Sequence, residues 1–302
     1  MYEDFYFRNI PDWEKKEVAN AIHSLLHCEF DQVPMEMMIS QFFRQFYDQQ
    51  INLQDFTHCL HNNKIEPYAC QRTSRLKAHC DKRFNLNPAK TQRCANLTDG
   101  SKAVQKYKDC LLRMYEKARP CLGHLQERCE RSPVRGVKTV RATMSEVEML
   151  LQQDPDLKVL HLFRDPRPVL LSRLTHESFR SAHSKKDPVR EAKFYCSIVE
   201  ADLHLRHTLA QTNTDNFREI IYEKFLSNPI AEAEQIYDFL GVETPQEIVT
   251  WLEKDAKRVK TTFMERFNDT TRASIRNTCE HLFEYAGDNW VYPEATNATI
   301  TT

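Results

Sequence analysis

Apolar residues recur along this chain at two spacings, and the change of spacing divides it. Over residues 12–28, Val18, Ile22, Leu25 and Leu26 form one stripe behind Asp12, which predicts a capped amphipathic helix. Residues 35–48 repeat the pattern with Met35, Met38, Ile39, Phe42, Phe43 and Phe46, a stripe of core type. From about 52 to 100 the period is lost, and Asn87-Pro88 and Asp99-Gly100 mark turns. Helical spacing returns over 101–118, and Pro120 and Pro133 bracket a second, shorter helix.

From Gly136 onward strand and helix patterns alternate. Val137–Arg141 reads as a short strand, and Ser145 with Glu148 is spaced as a capping box for a helix through Leu151. Asp154-Pro155 closes it, and the apolar run within 158–163 predicts a buried parallel strand. A helix over 187–211 and a strand over Glu219–Tyr222 follow. Asn228-Pro229 opens a helix that Gly241 stops, and helices over 245–254 and 270–286 complete the pattern. This alternation predicts an α/β fold, a parallel sheet flanked by helices. No repeat or flexible linker interrupts it. The expected organisation is a single domain over 1–302, with a helical, Cys-rich part at 1–135, the α/β part at 136–290 and a tail at 291–302.

The junction after the strand carries the chemistry. The run ends at Arg164, and Asp165-Pro166 supplies an N-cap and a proline preset for the first helical position. Pro168 still falls in the first turn. A strand entering a helix N-terminus offers free amides, the positive dipole end and an arginine at the rim, which together suit an anion. Ser172, about two turns on, adds a hydroxyl. A plain strand–helix junction with solvated arginines is the alternative.

Composition narrows the classes. The net charge of −1 provides no field for nucleic acid, and no basic run suggests a polybasic membrane anchor. No stretch is apolar for long enough to cross a bilayer, and the N-terminus lacks a signal peptide. The cysteines point elsewhere. Eight of the ten lie between Cys28 and Cys129 with no Cys-x-x-Cys pair, which fits a disulfide-stapled segment in an oxidising compartment better than a zinc site. Sequons at Asn96, Asn268 and Asn297 lean the same way.

Phe163-Arg-Asp-Pro-Arg-Pro-Val-Leu-Leu-Ser-Arg173 resembles the 3′-phosphate-binding motif of Golgi carbohydrate 6-O-sulfotransferases, with Pro168 where the family has Ala. Gly136–Arg141, and Ile221-Tyr-Glu-Lys-Phe-Leu…Pro229 followed by Ile236-Tyr-Asp-Phe-Leu-Gly241, resemble further family segments in the same order. Ile221 and Lys224 depart from the usual Arg and Asp, so no ligand contact is assigned there. The resemblance spans roughly 136–290. It implies a P-loop-like sulfotransferase fold and the donor PAPS (3′-phosphoadenosine 5′-phosphosulfate), its 3′-phosphate held by Arg164 and Ser172. It implies a glycan acceptor and a type II membrane protein of the Golgi lumen. Cys196 and Cys279 fall where such enzymes place cysteines, which makes a disulfide between their helices plausible.

One half of a donor site is not found. The family cradles the 5′-phosphosulfate in a Gly/Ser/Thr-rich turn after its first strand, and none of the five glycines lies in such a turn upstream of the motif. Tyr2-Glu3 resembles a Tyr-Glu-Pro segment that follows that loop, with Asp4 in place of Pro. The chain is therefore expected to begin downstream of a first strand and a membrane anchor belonging to a longer product. Loss of a central strand would leave backbone groups unpaired and expose apolar area at about 25 cal/mol per Å². The reading is sulfuryl transfer from PAPS to a glycan hydroxyl without a metal, weak or absent in this chain. Glu3 would be the general base, and Lys138 or Arg141, at a strand end near the motif, would balance charge near the transferred group. A non-catalytic module that binds nucleotide or sulfated glycan is the alternative; a P-loop kinase is disfavoured for want of Gly-x-x-x-x-Gly-Lys-Ser/Thr.

Overall fold

The computed structural model describes residues 12–34, 54–65, 70, 102–139, 142–175, 187–212, 215–255 and 267–290. They belong to two compact units, Met1–Asp154 and Pro155–Thr302. The predicted helix at 35–48, Glu3 and Arg141 lie outside the described residues.

The first unit is helical where described: α1 Asp12–Leu26, α2 Gln54–Asn62, α3 Lys102–Arg131 and α4 Met144–Gln153. α3 corrects one expectation, because it runs through Pro120 as one helix of 30 residues instead of two. Its buried stripe explains why. Cys110, Met114, Ala118, Cys121, Leu122 and Leu125 share a core with Phe56, Leu60 and Ile65, whereas Pro120 lies on the exposed face. An interior proline costs roughly 3 kcal/mol in a helix. Burial of that stripe offsets it, as do three disulfides tying α3 to the rest of the unit: Cys28–Cys129, Cys59–Cys121 and Cys70–Cys110. The dense cysteine run is thus a disulfide framework, as its spacing predicts.

Two local signals sit elsewhere than expected. The cap of α4 is Thr143 with Glu146, not Ser145 with Glu148: the buried Glu146 carboxylate accepts from the Thr143 N–H at 2.8 Å and its hydroxyl at 2.6 Å. The expected strand at 137–141 is not found in its described part, residues 137–139, which have no regular structure.

The second unit contains the α/β part. Strand β1 Val159–Phe163 leads to α5 Pro166–Thr175 and α6 Pro188–Ala210, and strand β2 Phe217–Ile221 returns parallel to β1. α7 Tyr222–Ser227, α8 Pro229–Leu240, α9 Gln246–Asp255, α10 Asp269–Thr278, α11 Glu280–Ala286 and a 3₁₀ turn Gly287–Trp290 follow. The register pairs Val159 with Phe217 and Phe163 with Ile221. The expected parallel pairing is present, but among the described residues the sheet has only these two strands.

β1 is not buried on both sides. Phe163 packs into the core with Leu170, Cys196, Ile275, Leu282 and Trp290, whereas Leu160 and Leu162 on the opposite face are 40% and 56% exposed. The single helix expected over 270–286 is two, α10 and α11, broken at Cys279 (φ −112°, ψ 23°). Cys279 is fully buried and bonded to Cys196 of α6, so the break occurs where the chain is pinned.

Candidate anion site at the end of the parallel strands

Because β1 and β2 are parallel and in register at Phe163 and Ile221, both deliver their next residues to the same sheet edge. Arg164 and Asp165 follow β1; Tyr222 and Glu223 open α7. In open α/β sheets this carboxyl edge is where ligands bind.

Asp165 starts α5. Its side chain is fully buried and accepts from the Arg167 N–H at 2.7 Å, the N-cap bond expected of it. The same carboxylate takes a fork from the Arg167 guanidinium, with Nε at 3.0 and 2.9 Å from its two oxygens and Nη2 at 2.5 Å from Oδ2. Arg167 is therefore no solvated arginine; it also donates to the Trp290 carbonyl at 2.8 Å and lies 5.0 Å over the Phe283 ring.

Arg164 is different. Its side chain is 40% exposed, its guanidinium lies 4.3 Å over the Tyr222 ring, and its Nε is 3.8 Å from Glu223 Oε1. The Nε atom is buried and has no hydrogen-bond partner among the described residues. Its backbone is fixed as well, since the Tyr195 hydroxyl donates to the Arg164 carbonyl at 3.2 Å. One edge of the guanidinium is thus sheltered and the rest reaches solvent, a disposition suited to an anion.

Glu223, only 7% exposed in its side chain, joins the elements. It accepts from the Asp165 N–H at 3.2 Å on Oε1 and from the Trp290 indole N–H at 2.9 Å on Oε2. Burial holds its carboxyl above the ordinary glutamate range; the charge of Asp165 adds to this, while nearby backbone N–H donors and Arg164 oppose it.

Ser172 lies on an exposed position of α5, roughly 9 Å along the axis from Pro166. Lys138 is exposed in the first unit. Glu223, Tyr222 and Trp290 were not singled out by the sequence as contributors to the site. The signal for the first two was their place just past a strand that pairs with the motif strand; nothing local marks Trp290. Among the described residues no group of His, Cys, Asp or Glu could hold a metal ion.

The sulfotransferase family model matches residues 20–246, three quarters of the chain, including the strand, the arginine and both helix openings of this site. The chain belongs to the sulfotransferase family. Carbohydrate sulfotransferase 3 of Mus musculus is 25% identical over 147 residues, which cover 44% of this chain and 31% of that protein. Carbohydrate sulfotransferase 1 of Rattus norvegicus is 29% identical over 148 residues, 42% of this chain and 34% of the relative. Carbohydrate sulfotransferase 5 of Mus musculus is 28% identical over 148 residues, 43% and 37%. The match thus spans about a third of the length of these curated relatives. No solved structure matches this family member.

Proposed function

We propose that the protein is a carbohydrate sulfotransferase that moves a sulfuryl group from PAPS to a glycan hydroxyl. The observation that carries this reading is the half-exposed Arg164 guanidinium at the carboxyl edge of the parallel strands, in a chain whose family is established. Arg164 and Ser172 would hold the 3′-phosphate of the donor, Arg164 through its outward N–H groups and Ser172 through its hydroxyl. The donor supplies the activated sulfuryl group. A glycan oxygen attacks sulfur in line, the bond from sulfur to the 5′-phosphate oxygen breaks, and adenosine 3′,5′-bisphosphate leaves. Glu3 would take the hydroxyl proton, and Lys138 or Arg141 would balance charge near sulfur. The four disulfides among the described residues support a luminal, Golgi-type setting. No described helix is long and apolar enough to cross a membrane.

Calorimetric titration with adenosine 3′,5′-bisphosphate tests the donor site. Arg164→Ala is expected to bind roughly 10- to 100-fold more weakly than wild type, the value of a hydrogen-bonded charge. Equal affinity in the two overturns the reading.

A module that binds nucleotide or sulfated glycan without transfer is the second reading, and it would use the same half-exposed Arg164 edge. Tight bisphosphate binding with no transfer of labelled sulfate to a desulfated glycan would select it.

A further inference from the structure

The two oxygens of Glu223 are held from different parts of the second unit. Oε1 takes the Asp165 N–H at the start of α5, and Oε2 takes the indole N–H of Trp290. Trp290 is itself tied down, since its carbonyl accepts from Arg167 and its ring packs edge-on to Phe163 and Phe283. Arg167 returns to Asp165, which closes a ring of four residues around the motif. A carboxylate with both oxygens engaged cannot rotate, and it faces the Nε edge of Arg164 while Tyr222 lies under the guanidinium plane.

We infer that Glu223 is a positioning residue for Arg164: braced by Trp290 and the Asp165 amide, it fixes the guanidinium so that its outer N–H groups face the anion. This rests on the donor reading of Arg164. An arginine side chain has many rotamers, and binding is weakened by whatever part of that freedom must be lost on association. A carboxylate and an aromatic ring that hold the side chain beforehand remove part of that cost. A buried carboxylate beside an anion site is otherwise unfavourable twice over, for folding and for the anion. The Asp165 N–H and the Trp290 indole offset part of that cost, and the ion pair with Arg164 at 3.8 Å adds to them.

The test uses the full chain labelled with ¹⁵N-arginine, the Arg164 Nε–H resonance being assigned by its loss in Arg164→Lys. Nε is sheltered by the Glu223 carboxylate at 3.8 Å and the Tyr222 ring, so exchange of its proton with water is expected to be about tenfold faster in both Glu223→Gln and Trp290→Phe than in wild type. Unchanged exchange overturns the inference. Where Glu223→Gln loses the wild-type near-UV circular dichroism, Trp290→Phe, which keeps an aromatic ring against Phe163 and Phe283, decides. A double-mutant cycle with adenosine 3′,5′-bisphosphate supplies the second readout. Glu223→Gln should weaken binding about tenfold when Arg164 is present and not at all in Arg164→Ala. Equal losses in both backgrounds overturn the positioning role. A wild-type chain that does not bind the bisphosphate refutes the donor reading instead, and the exchange rates still decide whether Glu223 holds Arg164.

Discussion

Asp165 and Arg167 illustrate how much one residue's surroundings decide. The sequence presents them as a helix cap and a charged residue in the first turn, both ordinary at a surface. In the fold Asp165 is fully buried and Arg167 is 11% exposed in its side chain, so the pair has left water together. Such a pair adds little net stability compared with apolar residues, yet removal of one partner strands the other charge, typically at a cost of about 3–5 kcal/mol. Asp165→Asn is therefore expected to lower the unfolding free energy by roughly that amount, measured by denaturant titration. A change below about 1 kcal/mol would mean that Arg167 finds another partner or reaches water.

At the scale of elements, α3 runs counter to a strong local rule. Pro120 removes a backbone donor in mid-helix, and the helix continues because its opposite face is buried and cross-linked. Pro120→Ala should raise the denaturant midpoint, by up to about 3 kcal/mol in stability. A loss of stability would show that the proline relieves strain in the bridged helix. Elements specified by short-range chemistry were legible in the sequence. The helix read over 187–211 is α6, with Asp187 accepting from the N–H groups of Val189 and Arg190, and α8 ends at Gly241 with φ 71°, the stop read from the chain. Arg164 was legible for the same reason, as a strand end running into a helix start. What was not legible depends on distant contacts. The Trp290 indole meets Glu223 across 67 residues, and its carbonyl meets Arg167 across 123. No spacing along the chain encodes either. The break at Cys279 escaped notice likewise, because the apolar period continues through it and only the bond to Cys196 pins it.

Across the whole molecule, the response to acid should be governed by groups buried within the second unit. His161 on β1 lies opposite Glu219 in the parallel register, near the cluster in which Arg206 pairs with Glu219 at 2.6 Å and the Tyr285 hydroxyl donates to Glu219 at 2.5 Å. Burial lowers its pKa from 6.5 to about 4, and the charge of Arg206 acts in the same direction. A histidine depressed in the folded state contributes stability that is present above its unfolded value and lost as pH falls from 6.5 toward 4. Glu223 works the opposite way: its raised value favours the fold at low pH, and that contribution fades as pH rises above the ordinary glutamate range. The wild-type unfolding free energy should therefore fall between pH 6.5 and 4 relative to His161→Leu, by on the order of 3 kcal/mol. Denaturant titrations of both proteins across that range measure it, and parallel curves would show that His161 is solvated.

The bonds made by Trp290 have a consequence for how variants of this gene should be read. A reading frame that stopped a few codons before position 290 would keep the entire stretch from Phe163 to Arg173 and the complete 20–246 family match. By every motif it would pass as intact. Yet its product would leave the Glu223 carboxylate and the Arg167 guanidinium each short of a partner, some sixty residues or more upstream of the lesion. Late nonsense and frameshift alleles, commonly dismissed as trimming a tail, would in this protein strike the candidate anion site.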